Sequence, residues 1–284
     1  MADVAVAPAR PAGPVRAAPR ARTGRASLGL RTVAVLYVGL LVLVPVAVIV
    51  YRTFQPGVGA VLDALDTPQT RHAFQVTAVV ALAAVAIDTV FGVAVGVLLA
   101  RYRFPGRRLL SAFVDLPVAV SPIVVGLALV LVFGPTGWFG PFTGDHVIAA
   151  KPGMILATVF VSLPLVVRAV VPVLEQAGLE QDQAAASLGA GAFARFRRIT
   201  LPTIRVALTY GVVLSLARCI GEYGAVLVVS NNIEGRTETA PLRIGNLVEN
   251  QLDYRSAYAI TFVLMLVAFA AILVAAWLRR RGGK

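Results

Sequence analysis

Six runs of apolar residues, each about as long as a bilayer is thick, constrain this chain more than any other feature. They cover roughly residues 33–51, 76–100, 110–133, 154–174, 205–229 and 257–278. A helix rises about 1.5 Å per residue, so about 20 residues cross a hydrocarbon layer of about 30 Å. In lipid every backbone N–H and C=O has to find its partner inside the protein, which leaves helices or a closed barrel. The alternating pattern of barrel strands is absent from these runs. The expectation is an all-α membrane protein with six transmembrane helices. Composition agrees, because 14% of the 284 residues are charged and 58% are hydrophobic, where soluble chains carry about a quarter charged residues.

The net charge of +12 raises the question of nucleic acid, and the placement of the charge answers it. Of the 26 Lys and Arg residues, 19 fall in the N-terminal tail, the 101–108 loop, the 175–204 region with its flanking Arg168 and Arg205, and the C-terminus. The alternate loops hold six: Arg52, Arg71, Lys151, Arg236, Arg243 and Arg255. Arg218 lies inside the fifth run. This asymmetry is the positive-inside signature, and with an even number of spans it places both termini in the cytoplasm. No nucleic-acid partner is expected. Membrane lipid is.

Residues 1–30 are rich in Ala, Pro and Arg without apolar periodicity, the composition of a disordered basic cytoplasmic tail. Residues 31–284 then form one six-helix domain with a cytoplasmic loop at 175–204. The first apolar run is too long for the core of a cleaved signal peptide, and Tyr51-Arg52-Thr53-Phe54 offers no small-residue cleavage site. The single cysteine, Cys219, rules out an internal disulfide and reads as a small packing residue. Pro45, Pro117, Pro122, Pro164 and Pro172 lie within the runs, where each removes a backbone hydrogen bond and kinks its helix. Gly92 and Gly96 fit the small-xxx-small pattern of close helix contact, either inside the subunit or at a dimer seam.

The loop between the fourth and fifth runs carries the most information. Residues 179–188 read as a short Ala-rich helix, broken by Gly189 and Gly191. A second turn sets Phe193, Phe196 and Ile199 at i, i+3 and i+6, with Arg195, Arg197 and Arg198 on its other side. Leu201-Pro202 is expected to end it before the next span. Such an element lies on headgroups, packs beneath its own bundle, or docks on a partner.

The spacing Gln183-Ala184-Ala185, three residues, Gly189, nine residues, Ile199-Thr200-Leu201-Pro202 resembles the EAA loop of ABC importer permeases, which docks on the ATPase subunit. Gln183 stands where that family usually has Glu, with Glu180 and Asp182 as nearby acids. The resemblance implies a type I importer permease bundle in the bacterial cytoplasmic membrane, docking through residues 183–202. Gln183, Ala184, Ala185, Gly189, Phe193, Phe196, Ile199, Leu201 and Pro202 are the docking candidates.

Ionisable groups inside a span are costly and mark function by default. Arg218 and Glu222 sit four apart on one helix face. They read either as a structural salt bridge or as a pair beside the substrate path, where Arg218 favours an oxyanion. Asp88, Asp115 and Ser121 are further pathway candidates. The words Asp115-Leu116-Pro117, Ser121-Pro122-Ile123 and Gly221-Glu222-Tyr223-Gly224 resemble the sulfate/molybdate branch of these permeases. Val228-Val229-Ser230 with Gly235-Arg236-Thr237-Glu238-Thr239 is most similar to the W-type sulfate permease. That likeness implies import of sulfate or thiosulfate, with molybdate or tungstate as the alternative cargo. It also implies a T-type permease partner in a heterodimer, an extracytoplasmic sulfate-binding protein, and two ATPase subunits that bind ATP and Mg.

Catalytic chemistry in this chain itself is not expected. Its two lysines, Lys151 and Lys284, lie outside any Gly-rich phosphate loop. His72 and His146 lack metal-ligand spacing, and no nucleophile elbow occurs. An ion channel is the reading from another class, since kinked spans suit it as well, but a channel has no use for the 183–202 loop.

Overall fold

The computed structural model describes residues 25–143 and 146–282, and every regular element among them is helical. Expectations for residues 1–24 of the tail lie outside the described residues. The first helix, α1, starts at Arg25 and runs to Phe54, passing through Pro45 without a break. By packing the chain divides into two units, 1–48 and 49–284. The described part of the first is the unbroken α1 up to Val48.

The second unit contains, in chain order, α2 (Val58–Leu65), α3 (Pro68–Arg101), α4 (Arg107–Ala119), α5 (Pro122–Phe133) and α6 (Gly140–Thr143). There follow α7 (Lys151–Ala177), α8 (Glu180–Ser187), α9 (Ala192–Arg195), α10 (Leu201–Ile220), α11 (Gly224–Ser230), α12 (Ala240–Glu249) and α13 (Tyr254–Gly282). Among the described residues, five helices are long and apolar enough to cross a membrane. The pair α4 and α5, bent by 115° across Val120-Ser121, makes a sixth where it counts as one span. The chain is a multi-pass helical membrane protein.

Two of the six apolar runs are not single helices. The third divides because Pro117 denies its turn a donor and Pro122 restarts the helix as its first residue, with Ser121 extended before it. The fifth ends at Ile220 and resumes at Gly224, leaving Gly221 to Tyr223 outside the helix. The two breaks meet, since a Cβ on Gly224 would lie 3.2 Å from Pro122 Cβ. One turn further, a Cβ on Gly126 would lie 2.8 Å from the carbonyl oxygen of Ala225. Backbone therefore runs against backbone between α5 and α11, with Glu222 of the second break buried and Ser121 of the first exposed.

The centre of the unit is α3 laid along α7, with α10 packed on both. Gly92 and Gly96 form the seam: added Cβ atoms there would stand 2.7 Å from Val166 Cγ1 and 3.2 Å from Val170 Cγ1. The small-xxx-small pattern thus serves packing inside the subunit. Met154, Val166, Val170, Leu174 and Ile204 are fully buried along this core. Where α3 meets the opposite end of the bundle, Thr77 Oγ1 accepts a hydrogen bond of 2.8 Å from Ala240 N at the start of α12. Asp253 caps α13 by accepting from Ser256 N at 3.1 Å. Burial there raises its pKa, and the bonds from Ser256 and Arg255 together with the charge of Arg255 hold it below the ordinary value of 3.8.

The Gly92–Val166 contact leaves no room for a methyl group. Gly92→Ala is expected to destabilise the protein by about 1–3 kcal/mol through overpacking, read as a lower midpoint of thermal unfolding in detergent. Val166→Ala in the same chain should recover most of that loss.

Candidate docking loop and translocation site

The loop after α7 is shaped by its glycines. Helix α8 ends in a motif in which Ala190 N donates to Ala185 O at 3.0 Å and Gly189 N donates to Ala186 O at 3.0 Å. This closure requires a left-handed residue after the cap, and Gly189 supplies it with φ of +85°. The distance in sequence between the paired alanines and Gly189 is thereby the distance between the last turn of a helix and its left-handed stop. Leu188 is 89% exposed and Phe193 76% exposed, with Gln183 and Ala184 also exposed beside them.

The expected apolar stripe of Phe193, Phe196 and Ile199 is split. Phe196 packs beneath the loop against Val93, Val166, Val170, Leu174 and Ile204, while Phe193 faces outward. A π-helical turn over Phe196–Thr200, closed by Leu201 N donating to Phe196 O, widens the helix there. Its larger step shifts Ile199 relative to Phe196, whereas Phe193 and Phe196 remain at α-helical spacing. Leu201-Pro202 does not end the element as expected. Pro202 sits in the first turn of α10, and the helix is continuous from Ala192 to Ile220. Pro202, which donates no backbone hydrogen bond, comes just after the π turn. Ile199 is partly buried, and Leu201 and Pro202 are exposed. Of the two acids beside Gln183, Glu180 is exposed, but Asp182 turns inward to Arg101 and Arg195.

The five pathway candidates separate into three places. Arg218 lines a cavity of about 310 Å³ with Pro117, Val118, Val120, Pro122, Val161 and Leu165. This is the hollow left by the break between α4 and α5. Ser121 lies in that break, exposed, with its hydroxyl making no capping bond. Glu222 pairs with Arg218 at 2.6 Å, its own side chain only 2% exposed. Its other oxygen accepts from Ala225 N at 2.9 Å and so caps α11. One carboxylate thus holds both Arg218 and the restart of the helix.

Asp88 lies elsewhere, fully buried among α3, α7 and α10. Its Oδ2 accepts from Ser162 Oγ at 2.5 Å and Ser215 Oγ at 2.8 Å. The Cys219 thiol donates to Ser162 Oγ at 3.3 Å. Asp115 is the third case: it pairs with Arg168 at 2.8 Å, and both line a second cavity of about 210 Å³ with Arg107 and Glu175. Ser162 and Ser215 were not singled out from the sequence, although a hydroxyl inside an apolar run was the available signal. At the opposite end of the bundle, Arg243 is buried between Glu234 at 3.4 Å and Glu238 at 3.6 Å. Burial pushes the Glu238 carboxyl above its ordinary value, against the bond from Asn246 and the charge of Arg243.

Residues 92–283 match the family of binding-protein-dependent transport system inner membrane components. The chain belongs to this family. It is 38% identical over 262 residues to the sulfate transport system permease protein CysW of Synechococcus elongatus, covering 90% of this chain and 91% of that one. It is 41% identical over 252 residues to the CysW protein of Escherichia coli, covering 88% and 86%. Among solved structures, a bacterial alginate ABC transporter in complex with an alginate pentasaccharide-bound periplasmic protein matches with a TM-score of 0.74. That match has 17% identity and covers 92% of this chain and 96% of the other, which shows a shared fold.

The double task of Glu222 makes a graded expectation. Glu222→Gln keeps an acceptor for Ala225 N and loses the ion pair. Glu222→Ala loses both and leaves a half-buried arginine beside an uncapped helix, a further cost of about 1 kcal/mol for the cap alone. Thermal unfolding should rank them wild type, Gln, Ala in falling order.

Proposed function

We propose that this chain is the permease subunit of an ATP-driven importer of sulfate or thiosulfate, that it forms half of the translocation pathway, and that it docks on an ATPase through residues 183–202. The observation that carries the docking reading is the loop itself. Gln183, Ala184, Leu188 and Phe193 are presented outward from an element rooted in the bundle by Phe196. A channel has no need of such an element. With α4 and α5 counted as one span the helices number six, and the positive-inside asymmetry puts this loop and both termini in the cytoplasm.

The sulfate reading rests on the CysW relatives, and the cavity beside Arg218 suits it. Arg218 is the one charged group in walls otherwise apolar; with Nη1 held by Glu222, its remaining N–H groups are free to hydrogen-bond an oxyanion. The amino end of α5 opens at the same break, and such ends favour negative charge. The chain breaks no bond itself. A T-type permease completes the path, two ATPase subunits bind ATP and Mg, and an extracytoplasmic binding protein delivers the anion. Asp115 and Arg168, at the cavity nearer the docking loop, lie on the exit side of this route.

Uptake of labelled sulfate by cells lacking the gene, with and without its restoration, tests this reading. Restored uptake that excess molybdate barely inhibits is the expected result, and restoration for molybdate alone would reassign the cargo. Arg218→Ala should lower sulfate uptake by about tenfold or more with the complex still assembled, the loss expected when a charged hydrogen bond to the anion goes. Gly189→Val forces a β-branched residue into left-handed backbone, costing about 1–2 kcal/mol locally. It should uncouple ATP hydrolysis from uptake while the membrane level of the protein is maintained.

A further inference from the structure

Helix α8 buries none of its eight residues, so hydrophobic area does not hold it to the bundle. A cavity of about 350 Å³ separates it from the end of α3, lined by Val97, Arg101, Leu179, Gln183 and Arg195 among others. What crosses this gap is Asp182. Its Oδ1 lies 3.0 Å from Arg101 Nη1 and its Oδ2 lies 2.9 Å from Arg195 Nη1. Arg101 is the last residue of α3, the helix seated on α7 through Gly92 and Gly96. Arg195 closes α9, beyond the left-handed stop at Gly189.

The three groups are poorly hydrated. The side chains of Arg101, Asp182 and Arg195 are 9%, 18% and 28% exposed, and the Nε atoms of both arginines are buried without a partner. A carboxylate with one oxygen committed to each of two arginines is not available to another subunit. Removing it leaves two like charges facing each other in a confined space, where unpaired charge is expensive. The arrangement is thus stiff in the sense that matters here: α8 cannot move away from α3 without separating opposite charges out of water.

We infer that Asp182 is a positioning residue that latches the docking loop to the cytoplasmic end of α3, so that displacement of the loop is passed to the α3–α7 pair. This inference rests on the docking-loop reading above and adds a route by which the loop acts on the bundle. A second route already exists in the continuous helix from Ala192 to Ile220. The latch makes the loop grip the bundle on both sides, at α3 and at α10.

The test uses the whole complex in vesicles, with both permeases, the ATPase subunits and the binding protein. Three quantities are measured: ATPase retained, basal hydrolysis, and hydrolysis stimulated by the loaded binding protein. Asp182→Asn should retain the ATPase and keep basal hydrolysis, while stimulation and sulfate uptake fall about tenfold, a typical coupling energy. Asp182→Glu should recover much of the stimulation. Arg101→Gln should reproduce the loss from the other end of the bridge, and the double variant with Asp182→Asn should be no worse than the more affected single one. If Asp182→Asn does not fold, Arg101→Gln alone carries the test. Normal stimulation in these variants overturns the latch, and so does loss of the ATPase from the complex, which would make Asp182 an assembly contact. Gly189→Val run alongside separates the two readings. If it uncouples and the latch variants do not, only the latch fails; if none of them uncouples, the docking-loop reading fails as well.

Discussion

At Gly92, α3 approaches α7 so closely that a single methyl group would stand 2.7 Å from Val166 Cγ1. Without a hydrophobic driving force between helices in lipid, such close van der Waals packing is what makes two spans associate. Everything else in the second unit is referred to this pair. Helix α10 lies on both, and Gly211 repeats the device, since a Cβ there would be 2.9 Å from Ala169 Cβ. The buried hydroxyls of Ser162 and Ser215 converge on Asp88 only because three backbones are close enough for short side chains to meet. That cluster puts one carboxylate oxygen at the junction of all three helices, where it resists sliding of any one against the others.

The same membrane constraint decides where the chain is allowed to be irregular. The two helix breaks meet, α5 against α11, with Gly126 and Gly224 admitting close approach of backbone. Glu222 then resolves two electrostatic problems with one side chain: it neutralises Arg218 and satisfies the amide of Ala225. A charge that is costly in a span is tolerated because its partner is bound to the same break that creates the cavity. The hollow, the arginine and the cap are one arrangement.

The parts of this architecture that depend on local chemistry were legible in the sequence. Apolar run length marked the places of all the long helices, because lipid imposes a length on any segment that crosses it. The spacing from Ala185 to Gly189 was readable because a helix stop has a fixed geometry. What depended on neighbours was not readable. Run length does not distinguish a straight span from the α4–α5 pair bent by 115°, since the apolar run continues from one half into the other. The π turn at Phe196–Thr200 alters the step from Phe196 to Ile199, while Phe193 and Phe196 keep α-helical spacing and differ because only Phe196 has the buried cluster beneath it. Asp182 read only as an acid close to Gln183, and of its two partners Arg101 is 81 residues away, beyond the reach of any local pattern. For Arg218 and Glu222, the i, i+4 spacing gave the pair, while the capping of α11 required knowing that the helix stops at Ile220.

The continuous helix from Ala192 to Ile220 joins the two candidate sites. Its 29 residues correspond to about 43 Å at 1.5 Å per residue, from the outward-facing Phe193 to the turn that carries Arg218. Its irregularities, the π turn and Pro202, lie next to the loop rather than in mid-span. A packed rod moves as a unit, because its neighbours offer discrete alternative seatings rather than a continuous range. A displacement at the loop is therefore delivered at the far end, at the Arg218–Glu222 pair, where the helix has already ended and a cavity adjoins it. The glycine seam along α3 and α7 gives that rod a rigid surface to move against. Under the proposed function, ATP-driven movement at one end and the anion's position at the other are linked by the shortest covalent route the fold contains.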